Sequence, residues 1–320
     1  MVKTPARAKL NAIVVCCTPN WLPLAGATLL SCVQNGGAEI ADFYVLTSAS
    51  TAIDRQQFAA FTKAHGFAAK VIDVTLPKAL ASFPTARFST AALLRLTIDQ
   101  HLPKHYNRVL YLDCDILCEN PLAEIFTADL HGKSLGAVED YQSLPGPLNM
   151  FGSHVQKIGL PKGARYFNSG VLLFDWKQTL KRKILPRCVA HVLEMQNKGE
   201  SYNLPDQDVL NHEFTGDWQP LNLKFNLMAF FVDYFAPTPV FRHFSNKYKP
   251  WHGTWLPGLA QYRARYEALL ADSPWPNFVA RRFNKIALVE SIACIFRRVD
   301  FISRKRFAKH LKSAENPSVE

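Results

Sequence analysis

Two aspartates stand one residue apart at the end of an apolar run, in the segment RVLYLDCDILCENP at residues 108–121. In an extended segment residues i and i+2 point the same way, so the carboxylates of Asp113 and Asp115 could face one ligand. Hard carboxylate oxygens suit Mg²⁺ or Mn²⁺, ions that commonly bridge protein carboxylates to phosphate oxygens. The pair therefore predicts a divalent-metal site, and a turn in which Asp113 caps backbone amides is the alternative.

The same pair permits a phosphohydrolase. Haloacid-dehalogenase-type phosphatases also carry Asp-x-Asp after a strand, with the first Asp as nucleophile and the second as acid and base. That motif usually continues into Thr or Val two residues on and follows the first strand of the chain. Here Leu117 occupies that position and the pair lies well inside the chain. The metal site is therefore favoured, and the phosphohydrolase stays open.

Three further stretches place polar side chains beside apolar ones. They are ARYFNSGVLLFDW at 164–176, PDQDVLN at 205–211 and RHFSNKYKPW at 242–251. Taken singly, the first predicts a turn at residues 168–170 before a buried strand. The second predicts a helix start, where acidic residues suit the helix dipole. The third predicts a buried, hydrogen-bonded histidine at His243.

The elements that must position these residues alternate between short apolar runs and helical patterns. Strands are predicted at Ile13–Cys17, Phe43–Leu46, Lys70–Val74, Val109–Leu112, Leu135–Val138 and Val171–Phe174. Helices are predicted at 23–34, 51–66, 89–101, 176–198 (with Pro186 starting, kinking or dividing it) and 258–271, and a loop that enters a short helix is predicted at 204–214. This alternation predicts a largely parallel sheet with helices on both faces, and such sheets bind ligands at the carboxyl ends of their strands.

Composition bounds the class of protein. A chain of 320 residues with 48% hydrophobic content folds as one large α/β domain with appendages, or as two domains. Its seven cysteines include no CxxC pair, which disfavours a disulfide framework or zinc ribbon and favours a reducing cytosol. The first apolar stretch is too short for a signal peptide, and no window approaches the ~18 apolar residues of a membrane-spanning helix.

Most of the net charge of +11 lies near the C-terminus. Residues 275–312 hold ten Lys or Arg against two acidic residues. Apolar residues at helical spacing predict one or two amphipathic helices over 276–312. These would either pack on the domain or lie on an anionic membrane surface. Nucleic-acid binding is disfavoured because no recognised nucleic-acid module accompanies the charge.

In their order, the four stretches resemble glycosyltransferase family 8, from about Ile13 to Trp251. Within it they resemble the bacterial enzymes that add galactose or glucose to lipopolysaccharide. The resemblance implies an α/β GT-A fold, with a Rossmann-like mixed sheet flanked by helices. It also implies a retaining hexosyltransferase that moves galactose or glucose from a UDP-sugar to a saccharide or glycolipid, with Mn²⁺ or, as a substitute, Mg²⁺. A catalytic domain at 1–255, a basic helical extension at 256–320 and a cytoplasmic location, peripheral on the inner face of the membrane, are then expected.

The resemblance also implies roles for single residues. The metal ligands are Asp113, Asp115 and His243. The donor-binding residues are Thr18, Asn20, Arg95, Asp113, Cys114, Asp115, Asp140, Asn168, Ser169, Asp206, Gln207, Asn246 and Lys249. Lys249 matches a lysine that contacts the diphosphate. Two positions depart from the family pattern: Thr18 replaces the aspartate that reads uracil, and Asn246 replaces a glycine near the diphosphate.

Gln207 and Asp208 are the catalytic candidates. Gln207 matches the residue nearest the reacting face of the sugar, and an amide is a poor nucleophile. Front-face transfer through an ion-pair-like transition state is therefore favoured, with the carbonyl of Gln207 stabilising positive charge. A covalent intermediate on Asp208 is the weaker alternative. A non-catalytic binding protein is the remaining functional alternative.

Overall fold

A computed structural model describes residues 9–83, 91–140, 152–228, 239–245, 249–252, 260–276 and 278–279. The strands are β1 (Asn11–Cys17), β2 (Ala41–Thr47), β3 (Ala69–Asp73), β4 (Arg108–Leu112), β5 (Ile116–Cys118), β6 (Leu135–Glu139), β7 (Phe167–Asp175), β8 (Trp218–Pro220), β9 (Leu227–Met228) and β10 (Phe241–His243). The helices are α1 (Leu22–Val33), α2 (Gly37–Ile40), α3 (Ala52–Ala64), α4 (Lys78–Ala81), α5 (Ala91–Leu94), α6 (Ile98–His101), α7 (Ala123–Phe126), α8 (Gly152–Lys157), α9 (Trp176–Arg182), α10 (Ile184–Asn197), α11 (Pro205–Glu213) and α12 (Ala260–Leu269).

The main sheet has the strand order β3-β2-β1-β4-β7-β6-β8, and β7 runs antiparallel to both of its neighbours. The other pairings in this sheet are parallel. Because β7 is reversed, its first residues lie at the carboxyl end of β4. A small sheet, β5-β10-β9, pairs His243 with Ile116 just after the end of β4. The predicted mixed α/β architecture is confirmed.

Both faces of the sheet are buried under helices, which explains the uninterrupted apolar strands. In β1, Ile13 and Val15 face the core layer that contains α1, α3 and α12, while Ala12 and Val14 face the layer that contains α5, α10 and α11. All four side chains are fully buried. This alternation fixes the sheet between two helical layers and leaves its carboxyl edge to carry polar groups.

Three predicted elements differ from the observed ones. The helix predicted over 89–101 is divided into α5 and α6 by a 3₁₀ turn at Arg95–Thr97, which directs the guanidinium of Arg95 toward the sheet edge. Residues 168–170 belong to β7 rather than to a turn, because their backbone continues the pairing of that strand. The helix predicted over 176–198 is divided, as Pro186 indicated, but the break lies at Lys183, in the left-handed region with φ of 51°.

The described part of the C-terminal region packs on the main core. Tyr266 of α12 is fully buried, and the ring of Trp275 lies 5.4 Å from that of Phe61. Of the predicted amphipathic segment 276–312, only residues 276, 278 and 279 lie within the described residues. Among all the residues that the structure describes, no helix is both long enough and apolar enough to span a membrane. The six described cysteines are free thiols.

Candidate active site

The two aspartates of the Asp-x-Asp pair lie in the turn that joins β4 to β5. The backbone amide of Asp113 donates to the carbonyl of Gly170 at 2.8 Å, and the amide of Phe244 donates to the carbonyl of Asp115 at 2.9 Å. The hydroxyl of Thr28 contacts the carbonyl oxygens of Cys114 and Ile116, each at 2.9 Å. The chain turns at residues 114–115, so the segment is not extended through the whole pair. Both carboxylates nevertheless face the same side chain.

That side chain is His243, at the end of β10. Its Nε2 lies 3.3 Å from a carboxylate oxygen of Asp115 and 3.8 Å from one of Asp113. One ligand atom from each of the three residues falls within 4.8 Å of the others. Two hard carboxylate oxygens and one imidazole nitrogen fit a divalent cation, and the 24% exposure of the Asp113 side chain leaves room for a ligand from outside. The three residues can hold a divalent metal.

Gly170 makes the approach of His243 possible. A Cβ atom at this position would lie 2.2 Å from Cε1 of the imidazole and 2.6 Å from its Nδ1. The imidazole therefore lies directly against the backbone of β7. Only glycine leaves that space, which explains a glycine inside an otherwise fully buried strand.

Asn226, which no sequence motif predicted, orients the imidazole. Its Oδ1 lies 3.0 Å from His243 Nδ1, and its Nδ2 donates to Oδ1 of Asn168 at 2.9 Å. Donation from Nδ1–H to this amide oxygen leaves Nε2 facing the aspartates, where it can bind a metal once it carries no proton. Asn226 is completely buried and belongs to no recognisable motif, so the sequence carries no signal for it.

Lys249 lies against Asp115. Its Nζ is 2.5 Å from Oδ2 of Asp115 and 2.5 Å from the carbonyl oxygen of Phe244. Burial acts to raise the pKa of Asp115, but Lys249 and His243 outweigh burial and hold the pKa of this carboxyl well below its usual range. A fully ionised carboxylate is the form that binds a metal.

Arg95 connects the metal ligands to α11. Its guanidinium donates to Asp113 at 2.8 Å and lies 3.0 Å from Asp206, while its carbon lies 4.5 Å from the ring centroid of Tyr111. Burial opposes the charge, but the two carboxylates outweigh it, so the pKa of Arg95 is raised and the cation persists. Burial also raises the pKa of Asp206, a shift that Arg95 opposes without cancelling.

A cluster of amides and hydroxyls continues from Arg95 along the start of β7. The amide N–H of Ser169 donates to Oε1 of Gln207 at 3.0 Å, and Nε2 of Gln207 donates to Asp140 at 3.3 Å. Nδ2 of Asn168 donates to the same Asp140 oxygen at 3.0 Å. These contacts fix which end of the Gln207 amide is oxygen. They also complete a chain of contacts from the metal ligands through Asn226 and Asn168 to α11.

Asp208 faces away from this cluster, into the protein. It has no exposed side-chain surface; one of its oxygens contacts His154 Nε2 at 2.8 Å and accepts from the Tyr166 hydroxyl at 2.5 Å. Its other oxygen accepts from the backbone amide of Leu204 at 3.0 Å. Asp208 therefore anchors the start of α11 to α8 and to Tyr166, the residue that precedes β7. His154 and Tyr166 are further residues that the sequence analysis missed.

Three of the remaining predicted donor-binding residues, Thr18, Asn20 and Cys114, lie at or near the same edge. Thr18 and Asn20 follow β1, where the hydroxyl of Thr18 donates to Oδ1 of Asn20 at 2.5 Å. Cys114 is buried in the turn, with its thiol 3.4 Å from the carbonyl oxygen of Cys16. Asn246 lies outside the described residues.

The arrangement combines two kinds of binding group at one edge of the sheet. A candidate metal centre and two buried cations suit a polyanionic group such as a diphosphate. The adjoining carboxylates and amides offer the hydrogen-bond acceptors and donors that sugar hydroxyls require. The two groups share Arg95 and Asn168, so a ligand spanning both would be held as one unit.

Comparisons with known proteins agree with this geometry. Residues 12–254 match the model of glycosyl transferase family 8. Lipopolysaccharide 1,2-glucosyltransferase of Escherichia coli K12 is 24% identical over 81% of this chain and 77% of its own. Lipopolysaccharide 1,3-galactosyltransferase of Salmonella typhimurium is 25% identical over the same shares. The crystal structure of the galactosyltransferase LgtC, in complex with donor and acceptor sugar analogues, superposes with a TM-score of 0.69 over 84% of this chain and 99% of that chain, at 25% identity.

Proposed function

Because this chain belongs to glycosyl transferase family 8 and is a glycosyltransferase with a GT-A fold, we propose that it is a retaining hexosyltransferase. It transfers galactose or glucose from a UDP-sugar to a saccharide or glycolipid acceptor such as lipopolysaccharide. The observation that supports this most is the convergence of Asp113, Asp115 and His243, within 4.8 Å, beside the cationic side chains of Lys249 and Arg95. The comparisons lend no support to the phosphohydrolase or to the non-catalytic binding protein.

The proposed cofactor is Mn²⁺, with Mg²⁺ as a possible substitute. Asp113, Asp115 and His243 would hold it, and an imidazole among the ligands suits Mn²⁺ better than Mg²⁺, which prefers oxygen. When bound, the ion acts as a Lewis acid that neutralises charge on the departing diphosphate. Asn226 and Gly170 serve this site by fixing the tautomer and the position of the imidazole.

The chain's own residues hold the two halves of the donor. Lys249 and Arg95 place positive charge beside the diphosphate, and the family resemblance assigns Asn246, outside the described residues, to the same group. Thr18 and Asn20, at the end of β1, contact the uridine, with the hydroxyl of Thr18 replacing a carboxylate as acceptor of the uracil N–H. The donor sugar is bound by four residues, Asp140, Asn168, Ser169 and Asp206. Cys114 completes the donor site through its backbone, because its side chain is buried in the turn.

Gln207 acts on the sugar directly, whereas Asp208 positions the helix that carries Gln207. The Gln207 carbonyl, oriented by Ser169 and Asp140, stabilises positive charge on the sugar as its bond to UDP breaks. The acceptor oxygen bonds to the anomeric carbon of the sugar on the face from which UDP departs. The acceptor proton passes to the departing phosphate oxygen. Asp208 positions α11, since both of its oxygens are occupied by buried donors. Isolation of a glycosylated Asp208 or Gln207 by mass spectrometry would contradict this front-face transfer.

We assign the catalytic domain to residues 1–255 and the basic extension to 256–320, of which the described part through Val279 packs on the main core. The extension brings the enzyme to the inner face of the cytoplasmic membrane, where anionic lipids attract basic amphipathic segments at about 1 kcal/mol per Lys or Arg. A glycolipid acceptor is embedded in such a surface. The two lipopolysaccharide transferases named above support this class of acceptor.

A panel of UDP-sugars, assayed with Mn²⁺ and with glycolipid or oligosaccharide acceptors, tests the proposal. We expect UDP release from UDP-galactose or UDP-glucose that rises when an acceptor is added, and no release of inorganic phosphate. Phosphate release from the same donors would indicate the phosphohydrolase. Absence of both turnover and metal-dependent UDP binding would indicate a non-catalytic protein.

A further inference from the structure

A second group of metal-ligating side chains lies at the opposite end of α11 from Asp206 and Gln207. It comprises His191 of α10 with His212 and Glu213 of the last turn of α11, and we name it the α10–α11 cluster. Nδ1 of His191 lies 2.9 Å from Oε1 of Glu213, and Nδ1 of His212 lies 3.3 Å from the same oxygen. One ligand atom from each residue falls within 4.8 Å of the other two.

The donor set of this cluster differs from that of the active site. Two imidazoles and one carboxylate suit borderline transition metals such as Zn²⁺, which binds three protein ligands and keeps a fourth position for water. The two aspartates and one histidine of the active site offer more oxygen and suit Mn²⁺. The described residues therefore present two metal-ligating groups with different preferences.

Neighbouring residues orient the ligands toward a common point. Without an ion, Nδ1–H of His191 donates to Oε1 of Glu213; an ion that takes the place of this proton leaves Nε2–H to donate to the Tyr202 hydroxyl, which lies 3.0 Å away. Arg187 donates to Oε2 of Glu213 at 3.0 Å and also to its backbone carbonyl, which leaves Oε1 for an ion. The side chains of His191 and Glu213 are 15% and 13% exposed, while that of His212 is 39% exposed, so an ion can enter from water.

We propose that the α10–α11 cluster binds Zn²⁺. The ion joins α10 to the C-terminal turn of α11, with water as its fourth ligand. Because α11 carries Asp206 and Gln207 in its first turn, the same ion stiffens the helix that presents them. The ion holds the two helices together, and the site lies outside the donor-binding machinery.

Zinc stoichiometry tests the proposal directly. Full-length protein is stripped with a chelator, dialysed against a fixed concentration of free Zn²⁺ and analysed for zinc by atomic emission. The measurement is made in an Asp115→Asn background, which weakens zinc binding at the active site. We expect one zinc per chain in that background and in His131→Gln, which removes a histidine paired elsewhere with Asp129. We expect a loss of at least ~10-fold in zinc affinity in His212→Gln and in Glu213→Gln, since each removes one of three protein ligands.

Thermal unfolding provides the second measurement and shows whether each variant is folded. Zn²⁺ raises the unfolding temperature of the Asp115→Asn protein because it binds the native state, and this rise is lost in His212→Gln and in Glu213→Gln. If both variants fold and bind as much zinc as their parent, with the same thermal shift, the proposed site is wrong. Absence of zinc from the Asp115→Asn protein itself would equally overturn it.

Discussion

At the scale of single residues, the candidate metal centre depends on a side chain that binds no metal. Asn226 contacts His243 on one side and Asn168 on the other, while being fully buried. A histidine without such a partner can take either tautomer and rotate about its side-chain bonds. Asn226 therefore decides whether the His243 nitrogen that faces the aspartates carries a lone pair or a proton.

Replacing Asn226 by leucine tests this role. Leucine has a similar size but removes both hydrogen bonds, so we expect the Kd for Mn²⁺ to rise about 10- to 100-fold, the usual cost of losing an outer-sphere partner of a metal ligand. Asn226→Asp is the matched control, because it keeps an acceptor for Nδ1–H. Isothermal titration with Mn²⁺ measures both, and equal affinities in the leucine and aspartate variants would contradict the role.

A second residue-scale prediction concerns Gly170. An alanine Cβ would meet the imidazole of His243 at 2.2 Å, so we expect Gly170→Ala to displace the ring, to abolish tight Mn²⁺ binding and to lower stability by about 1–3 kcal/mol. Gly163→Ala is the control. Its loss of stability should come from backbone strain at a φ of +81°, because the space around the new Cβ is open. The two variants should lose similar stability by denaturant unfolding, but only Gly170→Ala should lose Mn²⁺ affinity. Retained Mn²⁺ affinity in Gly170→Ala would show that the ring can adjust.

At the scale of elements, the reversed strand β7 creates the site. Its first residues, 168–170, reach the carboxyl edge of β4 because the strand runs against its neighbours. Apolar runs predicted the strands, and the four ordered stretches predicted the three side chains that the structure brings together as a candidate metal centre. Strand direction depends on pairings between segments far apart in the sequence, and local residue types do not reveal those pairings. Residues 168–170 were therefore predicted as a turn, although they belong to β7. Asn226, His154 and Tyr166 escaped prediction because their roles come from contacts with residues 17 to 58 positions away.

The start of α11 provides an element-scale prediction. Tyr166→Phe removes the hydroxyl that donates to the buried carboxylate of Asp208, and we expect a loss of about 1.5–3 kcal/mol in the free energy of unfolding, the range for hydrogen bonds to charged groups. Because Asp208 ties down the helix that carries Gln207, turnover should fall as well. Tyr266→Phe is the matched control, since its buried hydroxyl has no hydrogen-bond partner among the described residues.

Urea unfolding and the rate of turnover, measured for both variants, together test the prediction for Tyr166→Phe. Tyr266→Phe should be neutral or slightly stabilising and fully active. A Tyr166→Phe protein as stable as the Tyr266→Phe protein would mean that Asp208 does not anchor α11. A contact other than those of Asp208 would then have to position α11.

At the scale of the whole molecule, charge separates the core from the C-terminal segment. Trp275, Phe278 and Val279 pack on the main core, so a truncation that keeps the fold must end after them. We expect the full chain to float with phosphatidylglycerol vesicles and not with phosphatidylcholine vesicles, and a chain ending at residue 280 to lose that binding. Turnover of a water-soluble acceptor should be the same in both proteins. Equal flotation of the two would exclude 281–320 as the membrane contact.

The central claim is that Asp113, Asp115 and His243 form a metal centre at which a UDP-sugar is turned over. Its most direct test is the initial rate of UDP release from UDP-galactose and UDP-glucose, measured for the wild type with Mn²⁺, with chelator, and for Asp115→Asn. We expect release with Mn²⁺, loss in chelator that added Mn²⁺ reverses, and a rate lower by about 100-fold or more in Asp115→Asn, in line with the several kcal/mol that a metal supplies. Asp129→Asn, at an exposed position, should match the wild type. Metal-independent release, or an Asp115→Asn protein as active as Asp129→Asn, would contradict the account.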